Sequence, residues 1–167
     1  MGRRLTIDGR SASVDEALFR ATLGHFATGV TVVTAIHGDR PVGFTCQAFA
    51  SLSLKPPLVM LAPAKTSTSW PFVAEVGSFC VNVLARGQQA LSRAFSESGA
   101  DKFSGASWHP GTAGAPRLDG ALAWIDCQLD AVYDGGDHLI AVGRVVGLGS
   151  GQGEPLVFYR GRFTHLS

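Results

Sequence analysis

The segment Ala121–Tyr133 alternates with a period of two: Ala121, Ala123, Ile125, Cys127, Leu129, Ala131 and Tyr133 share one face, and Asp126, Gln128 and Asp130 share the other. Successive side chains of an extended backbone point to opposite sides, so the pattern predicts a strand with one apolar and one wet face. Asp134-Gly135-Gly136-Asp137 supplies a tight turn, and His138–Leu148 returns as its partner. The other apolar segments are shorter and closely linked. Val30–Ile36 and Val42–Phe49 read as a hairpin around His37-Gly38-Asp39, and Leu58–Leu61, Phe79–Leu84, Leu156–Tyr159 and Arg162–Thr164 read as further strands. About seven or eight strands joined mostly by hairpin-length links predict a mainly β fold, an antiparallel closed barrel in which closure removes the exposed edges.

About three short helices flank these strands. Ser13 with Glu16 fits a capping box, after which Leu18, Phe19, Thr22, Leu23 and Phe26 fall on one side of a helix ended by Gly29. Ser69-Trp70-Pro71 starts a second helix with proline in its first turn, and Gln88–Phe95 forms a third. Residues 96–119 turn to Gly, Ser, Ala and Pro and predict a long loop of the kind that closes over a site.

The 167 residues fit one domain, 13–167, after a polar, unpatterned arm at 1–12 that is expected to be mobile. Only 16% of residues are charged and 46% are hydrophobic, whereas an average domain has about 25% charged. Apolar surface left over by such a composition predicts a homodimer. A net charge of +1, with no basic run beyond Arg3-Arg4, argues against nucleic-acid binding. No apolar run approaches the roughly 20 residues of a membrane span, and no signal-like core follows Met1, so no membrane association and a cytoplasmic protein are expected. Cys46, Cys80 and Cys127 are widely spaced within apolar segments and read as reduced, buried thiols. The histidines have no metal-ligand spacing, so no metal is expected.

Two stretches invite chemistry. Lys65-Thr66-Ser67-Thr68-Ser69 lies between a buried strand and a helix start, where hydroxyls, an ammonium and unpaired helical N–H groups would attract a phosphate. The same residues also read as a helix cap beside a solvated lysine. In Pro41–Pro57, Gly43 permits close backbone approach, Thr45 and Gln47 present polar ends and Ala48 leaves room, which together suit the edge of a flat heteroaromatic ring or, equally, a bulged barrel strand. His138 after Gly136-Asp137 sits at a hairpin mouth. Phe158-Tyr159-Arg160-Gly161 combines stacking surface with a guanidinium. The glycine-rich segment 147–153 leads into Glu154-Pro155 and a strand, so it supports neither a dinucleotide fingerprint nor a P-loop.

Phe19-Arg20, Gly24–Thr34, Gly43-Phe44-Thr45 through Pro56-Pro57, Phe79–Leu84, Asp101-Lys102-Phe103 and Gly136-Asp137-His138, in this order and spacing, together resemble the flavin reductase-like family with its FMN-binding split barrel of Greek-key type. Within it, Pro41–Ala50 and Phe158–Gly161 are most similar to reductase components serving aromatic or steroid-ring hydroxylases. The resemblance implies an NAD(P)H-dependent reductase of FMN or FAD, with NADH as the expected donor and NADPH also possible. Reduced flavin would pass to a separate monooxygenase. It implies that Pro41, Val42, Gly43, Phe44, Thr45, Gln47 and Ala48 line the flavin ring and ribityl chain. Ala62, Pro63, Ala64, Thr68 and Ser69 would approach the phosphate, and Ala94 and Phe95 the far end. His138, Phe158, Tyr159, Arg160 and Gly161 would lie on the nicotinamide side. At Gln47-Ala48 the chain departs from the Asn-Ser of many members. No acid or base is obligatory, because hydride transfer is the cofactors' own chemistry. A flavin- or haem-binding barrel without reductase activity is the alternative.

Overall fold

The computed structural model describes residues 14–99 and 101–166. The arm expected at 1–12 and the capping residue Ser13 lie outside them. Helix α1 (Glu16–Leu23) is capped by Asp15, whose side chain accepts from Leu18 N at 2.8 Å. It ends at Gly24, five residues earlier than Gly29, which belongs to the two-residue strand β1 (Thr28–Gly29). β2 (Thr31–His37) and β3 (Arg40–Cys46) form the expected hairpin, with Gly38 at φ +65° in its turn.

The segment expected to run unbroken through Phe49 leaves the sheet at Gln47-Ala48 and re-enters as β4 (Phe49–Leu54). β4 pairs with β5 (Pro57–Leu61), so the two prolines lie at a hairpin. Helix α2 (Trp70–Val76), β6 (Ser78–Val83), a single 3₁₀ turn and α3 (Gln89–Ser96) follow. β7 (Trp108–Pro110) and β8 (Pro116–Leu118) form a small hairpin within the stretch expected to be a plain loop. The long pair β9 (Ala123–Gly135) and β10 (His138–Ser150) comes next, then β11 (Val157–Tyr159) and β12 (Arg162–Thr164).

The fold is mainly antiparallel sheet with three α-helices among the described residues. Seven strands run in the order β3-β2-β6-β9-β10-β5-β4, and β1-β11-β12 form a separate sheet. The outermost strands of the seven, β3 and β4, are joined by Gln47 and Ala48 alone. A flat sheet of seven strands spaced about 4.8 Å apart would separate its edges by about 29 Å. The link from Cys46 to Phe49 spans at most about 11 Å. The sheet therefore rolls, and its two edges meet along a seam at Gln47-Ala48.

Inside the roll, Val33, Phe44, Leu61, Phe79, Val81 and Cys127 pack with Trp70 and Val73 of α2. β2 is buried on both sides, because Val32 belongs to a second cluster with Leu84, Phe95, Leu118 and Leu156 outside the barrel wall. That outer face explains why Asp126, expected to be wet, is fully buried while Gln128 and Asp130 remain exposed. Asp126 Oδ2 accepts from Arg117 at 2.5 Å and from Thr112 N at 2.8 Å, and the Arg117 guanidinium lies 3.2 Å above the Trp124 ring. Asn82 Oδ1 accepts from Leu118 N at 2.8 Å, its Nδ2 donates to Val32 O, and Thr34 Oγ1 donates to Pro116 O at 2.5 Å. A Cβ at Gly111 would lie 2.6 Å from Asp126 Oδ1, so only glycine fits there. The 108–118 hairpin is thus clipped to the barrel by buried polar bonds.

Burial alone would raise the Asp126 pKa, but hydrogen bonds from Arg117 and Thr112 outweigh it and hold the carboxyl below its ordinary value. A carboxyl depressed on folding stabilises above its unfolded pKa, near about 3.9, and that contribution is lost as pH falls through the folded value. Asp126→Asn is expected to lower stability at pH 7 by about 3 kcal/mol and to flatten the acid limb of the stability profile. Urea unfolding from pH 7 down to pH 3 checks both, and an unchanged acid limb would count against the clip.

Candidate functional site

Where β3 leaves the sheet and β4 re-enters it, a cavity of about 610 Å³ opens along the seam. Phe44, Phe49 and Phe95 give it apolar walls, and the exposed Leu23 and Phe26 stand at its rim. Polar groups gather on the connection between β5 and α2, where Thr66, Ser67 and Thr68 line the cavity together with Lys102. His138, the first residue of β10, forms another part of the wall. It is held there by a bridge to Ala64 and by Leu139 N donating to Pro63 O at 2.9 Å.

The local bonds differ from those the sequence suggested. Lys65 pairs with Asp134 and does not line the cavity. The ammonium there belongs to Lys102, whose Nζ donates to Gly43 O at 3.1 Å, Ser69 Oγ at 3.1 Å and Phe95 O at 3.3 Å. Partial burial lowers its pKa. Three donors on three acceptors saturate the group and tie the segment after α3 to β3 and to the start of α2. Ser69 occupies the N-cap position of α2, but its hydroxyl accepts from Lys102 and makes no cap bond; Ser67 Oγ accepts instead from Trp70 N at 3.1 Å. Gly43 does permit a close approach, but of protein: a Cβ there would lie 2.7 Å from Val33 O and 2.9 Å from the Phe95 ring. Thr45 Oγ1 donates to Ser92 O at 2.6 Å, and Gln47 Nε2 donates to Thr28 Oγ1 at 2.9 Å.

Of the residues singled out from sequence, Phe44, Thr45, Gln47, Ala48, Ala62, Pro63, Ala64, Thr68, Phe95 and His138 line this one cavity. Pro41, Val42, Gly43 and Ser69 line an adjoining one, with Thr68 common to both. Ala94, half-buried on α3, lines neither. Phe158, Tyr159, Arg160 and Gly161 also lie outside both cavities. Their strand pairs with β1 through Thr28↔Phe158, Phe158 packs on Phe163, and Arg160 N donates to Gly24 O at 2.9 Å. They stand one strand behind the cavity wall.

Lys102 was legible only as part of a matching segment. Its signal is a lone cation beside Phe103 in a stretch dominated by small residues. Thr28, Leu23 and Phe26 reach the cavity through chain crossings that no local pattern marks. Among the described residues no group of three or more His, Cys, Asp or Glu side chains gathers as a metal site, and no helix is long and apolar enough to cross a membrane.

The sequence profile of the flavin reductase like domain matches residues 23–167. The chain belongs to the flavin reductase-like family. Its relatives include the reductase subunit HsaB of a flavin-dependent monooxygenase from Rhodococcus jostii, 50% identical over 165 residues that cover 97% of this chain and 85% of that protein. The crystal structure of nitrilotriacetate monooxygenase component B from Mycobacterium thermoresistibile matches with a TM-score of 0.88 at 47% identity, covering 91% of this chain and 87% of that one. The NADH:FAD oxidoreductase SgcE6 of Streptomyces globisporus, in complex with NAD and FAD fragments, matches at 0.86 and 36% identity, over 92% and 93% of the two chains.

A thiol in the wall of a flavin reductase-like cavity invites a redox role, and Cys46 is placed for one. Desolvation pushes its pKa up to about 11, despite weak contacts of Sγ to Ala48 O and Ala62 O. At pH 8 only about one molecule in a thousand would carry the thiolate, and iodoacetamide should modify Cys46 roughly a hundredfold more slowly than free cysteine. Peptide mass spectrometry of timed reactions measures this. Modification at the rate of free cysteine would show that the thiol is neither buried nor inert.

Proposed function

We propose that this protein is an NADH-dependent flavin reductase that transfers hydride from the nicotinamide to FMN or FAD and supplies the reduced flavin to a separate monooxygenase. The observation that carries the reading is the seam cavity, about 610 Å³ with aromatic walls, hydroxyls and an ammonium at one part and an oriented histidine at another. That volume lies within the range of about 300–1,000 Å³ typical of small-molecule sites. The donor set fits a flavin, with an apolar wall for a flat ring, and Thr66, Ser67, Thr68 and the charge of Lys102 for a phosphate ester. A bound flavin supplies the hydride acceptor, so the chain needs only to orient two rings and exclude water.

The protein's own residues divide that work. Ala48, Ala62 and Ala64 keep the wall thin where a ring lies flat, and Phe44 and Phe95 keep it dry. His138 Nδ1 lies 2.7 Å from Asp137 Oδ1. With the proton on Nδ1 donated to that carboxylate, Nε2 is left as an acceptor suited to a carboxamide N–H of the nicotinamide. The hydrogen bond from His138 holds the Asp137 carboxyl below its ordinary range. Phe158 of the segment 158–161 pairs with Thr28 of β1 behind the cavity, and Arg160 N donates to Gly24 O.

The partner is a flavin-dependent monooxygenase. Aromatic or steroid-ring hydroxylases are the class suggested by the similarity of Pro41–Ala50 and Phe158–Gly161 to reductases that serve them. The molecule acts as a homodimer. α1 has no buried residue, and Leu18, Phe19, Leu23 and Phe26 are all more than half exposed. A helix of eight residues does not persist in water on its own propensity, so a second copy covering that face, beside the cavity rim, accounts for it.

Two measurements test the reading. Anaerobic stopped-flow mixing with FMN or FAD and NADH should bleach the flavin and consume NADH, and His138→Ala should raise KM for NADH about tenfold with flavin affinity kept. Tight flavin retention without NADH oxidation would instead fit a storage or sensor module. Light scattering should give twice the chain mass for the wild type, and Phe19→Glu should shift it towards the monomer; a monomeric wild type would refute the dimer.

A further inference from the structure

The β9–β10 hairpin runs on past the strands that flank it. β5 accompanies β10 from Arg144 to Ala141, and β6 accompanies β9 as far as Gln128. Beyond Ala141↔Val132 the two strands pair, within the sheet, with each other alone among the described residues. Val132, Tyr133 and Asp134 are exposed there, Gly136 turns the chain at φ +88°, and His138 follows two residues later. A two-stranded ribbon is marginally stable in water and twists more freely than a wider sheet. His138 therefore needs support from outside its own hairpin to keep one direction.

Pro63, Ala64 and Lys65, just past the end of β5, supply that support. Leu139 N donates to Pro63 O at 2.9 Å, Ala64 bridges to His138, and Lys65 N donates to Asp137 O at 3.0 Å. Leu139 also packs against the inner cluster. All of these contacts fall on residues 137–139, so they fix one edge of the ribbon and leave its twist about that edge unopposed. Lys65 Nζ makes the contact that differs, an ion pair with Asp134, which faces Leu139 from the opposite strand.

We propose that the Lys65–Asp134 ion pair is a positioning pair for the nicotinamide: it fixes the twist of the ribbon and with it the direction of the His138 imidazole into the seam cavity. The inference rests on the proposed function, in which His138 accepts from the nicotinamide carboxamide. Neither Lys65 nor Asp134 lines the cavity, so both act through His138. The side chains are 43% and 70% exposed, and an ion pair that open to solvent contributes little to global stability. Hydrogen bonds weaken steeply as their angle departs from linear, so a small rotation of the imidazole costs NADH binding while the fold stays intact. Thr66 follows Lys65 directly and lines the cavity, which registers the ribbon tip against the wall that faces the flavin.

Steady-state kinetics of the full chain, with FMN as acceptor and NADH varied, test the pair. Lys65→Met should raise KM for NADH about threefold at low salt and change kcat by less than about twofold. FMN affinity, from fluorescence titration, should be unaltered, and Lys65→Arg should restore the wild-type KM. The ratio of the two KM values, Lys65→Met over wild type, should approach one in about 1 M NaCl, where the exposed pair is screened. In a His138→Ala background, Lys65→Met should change nothing further, because no imidazole is left to position. An equal effect in that background, a matching loss of FMN affinity, or an unaltered KM at low salt would each overturn the proposal. So would a lowered melting temperature at unchanged KM, which would assign the pair to stability alone. A wild type that consumes no NADH with either flavin would instead defeat the underlying reductase reading.

Discussion

The two-residue link between β3 and β4 is the constraint on which the rest of the structure depends. Strands at opposite edges of a seven-stranded sheet can be chain neighbours only if the sheet curls until those edges meet. At the meeting point, Ala62 N donates to Ala48 O at 3.0 Å, and Gln47 anchors to Thr28 through its side chain. The ladder is interrupted there, which leaves an opening in an otherwise continuous wall. The main cavity occupies that opening. A cavity formed at a seam in this way needs no inserted domain, only residues small enough at Ala48, Ala62 and Ala64 to leave the space unfilled.

Polar groups buried around the barrel do a different job. Thr34, Asn82 and Asp126 lie on neighbouring strands and face outward, where an apolar surface would accept any covering segment. Hydrogen bonds are directional and costly to leave unmade when buried, so this trio accepts one partner in one register, the 108–118 hairpin. Lys102 acts similarly on the other side, joining β3, α2 and α3 through one ammonium. The segment between these two anchors is therefore constrained at both ends, and its tight fit at Gly111 leaves no slack.

Family membership and geometry converge on the same chemistry from independent directions. Profile and relatives identify a flavin reductase-like chain. The cavity independently combines dry aromatic walls with a hydroxyl-rich, positively charged end. Hydride transfer between two rings asks little of a protein beyond stacking and orientation. The scarcity of titratable side chains at the seam is consistent with that demand; His138, which lines it, is oriented by Asp137.

Much of the fold was legible in the sequence because it rests on local periodicity. The alternation of Ala121–Tyr133 and the Gly135-Gly136 turn define the longest hairpin, and Pro71 marks the start of α2. Pro41–Ala48 and Ala62–Ser69 were singled out by resemblance, and most of their residues line the two cavities. What only the tertiary structure decided depends on contacts between residues far apart in the chain. Asp126 alternates as a wet residue, yet Arg117 and Thr112 arrive from a segment whose composition spells loop and bury it. Lys65 is the cation the sequence offers beside the hydroxyls, but Asp134 captures it, and Lys102, from a segment far along the chain, lines the cavity instead. Periodicity records which side of a strand a residue faces, a property of the chain's own backbone. Which partner meets that side is set by how the sheet closes, and no short stretch of sequence contains that information.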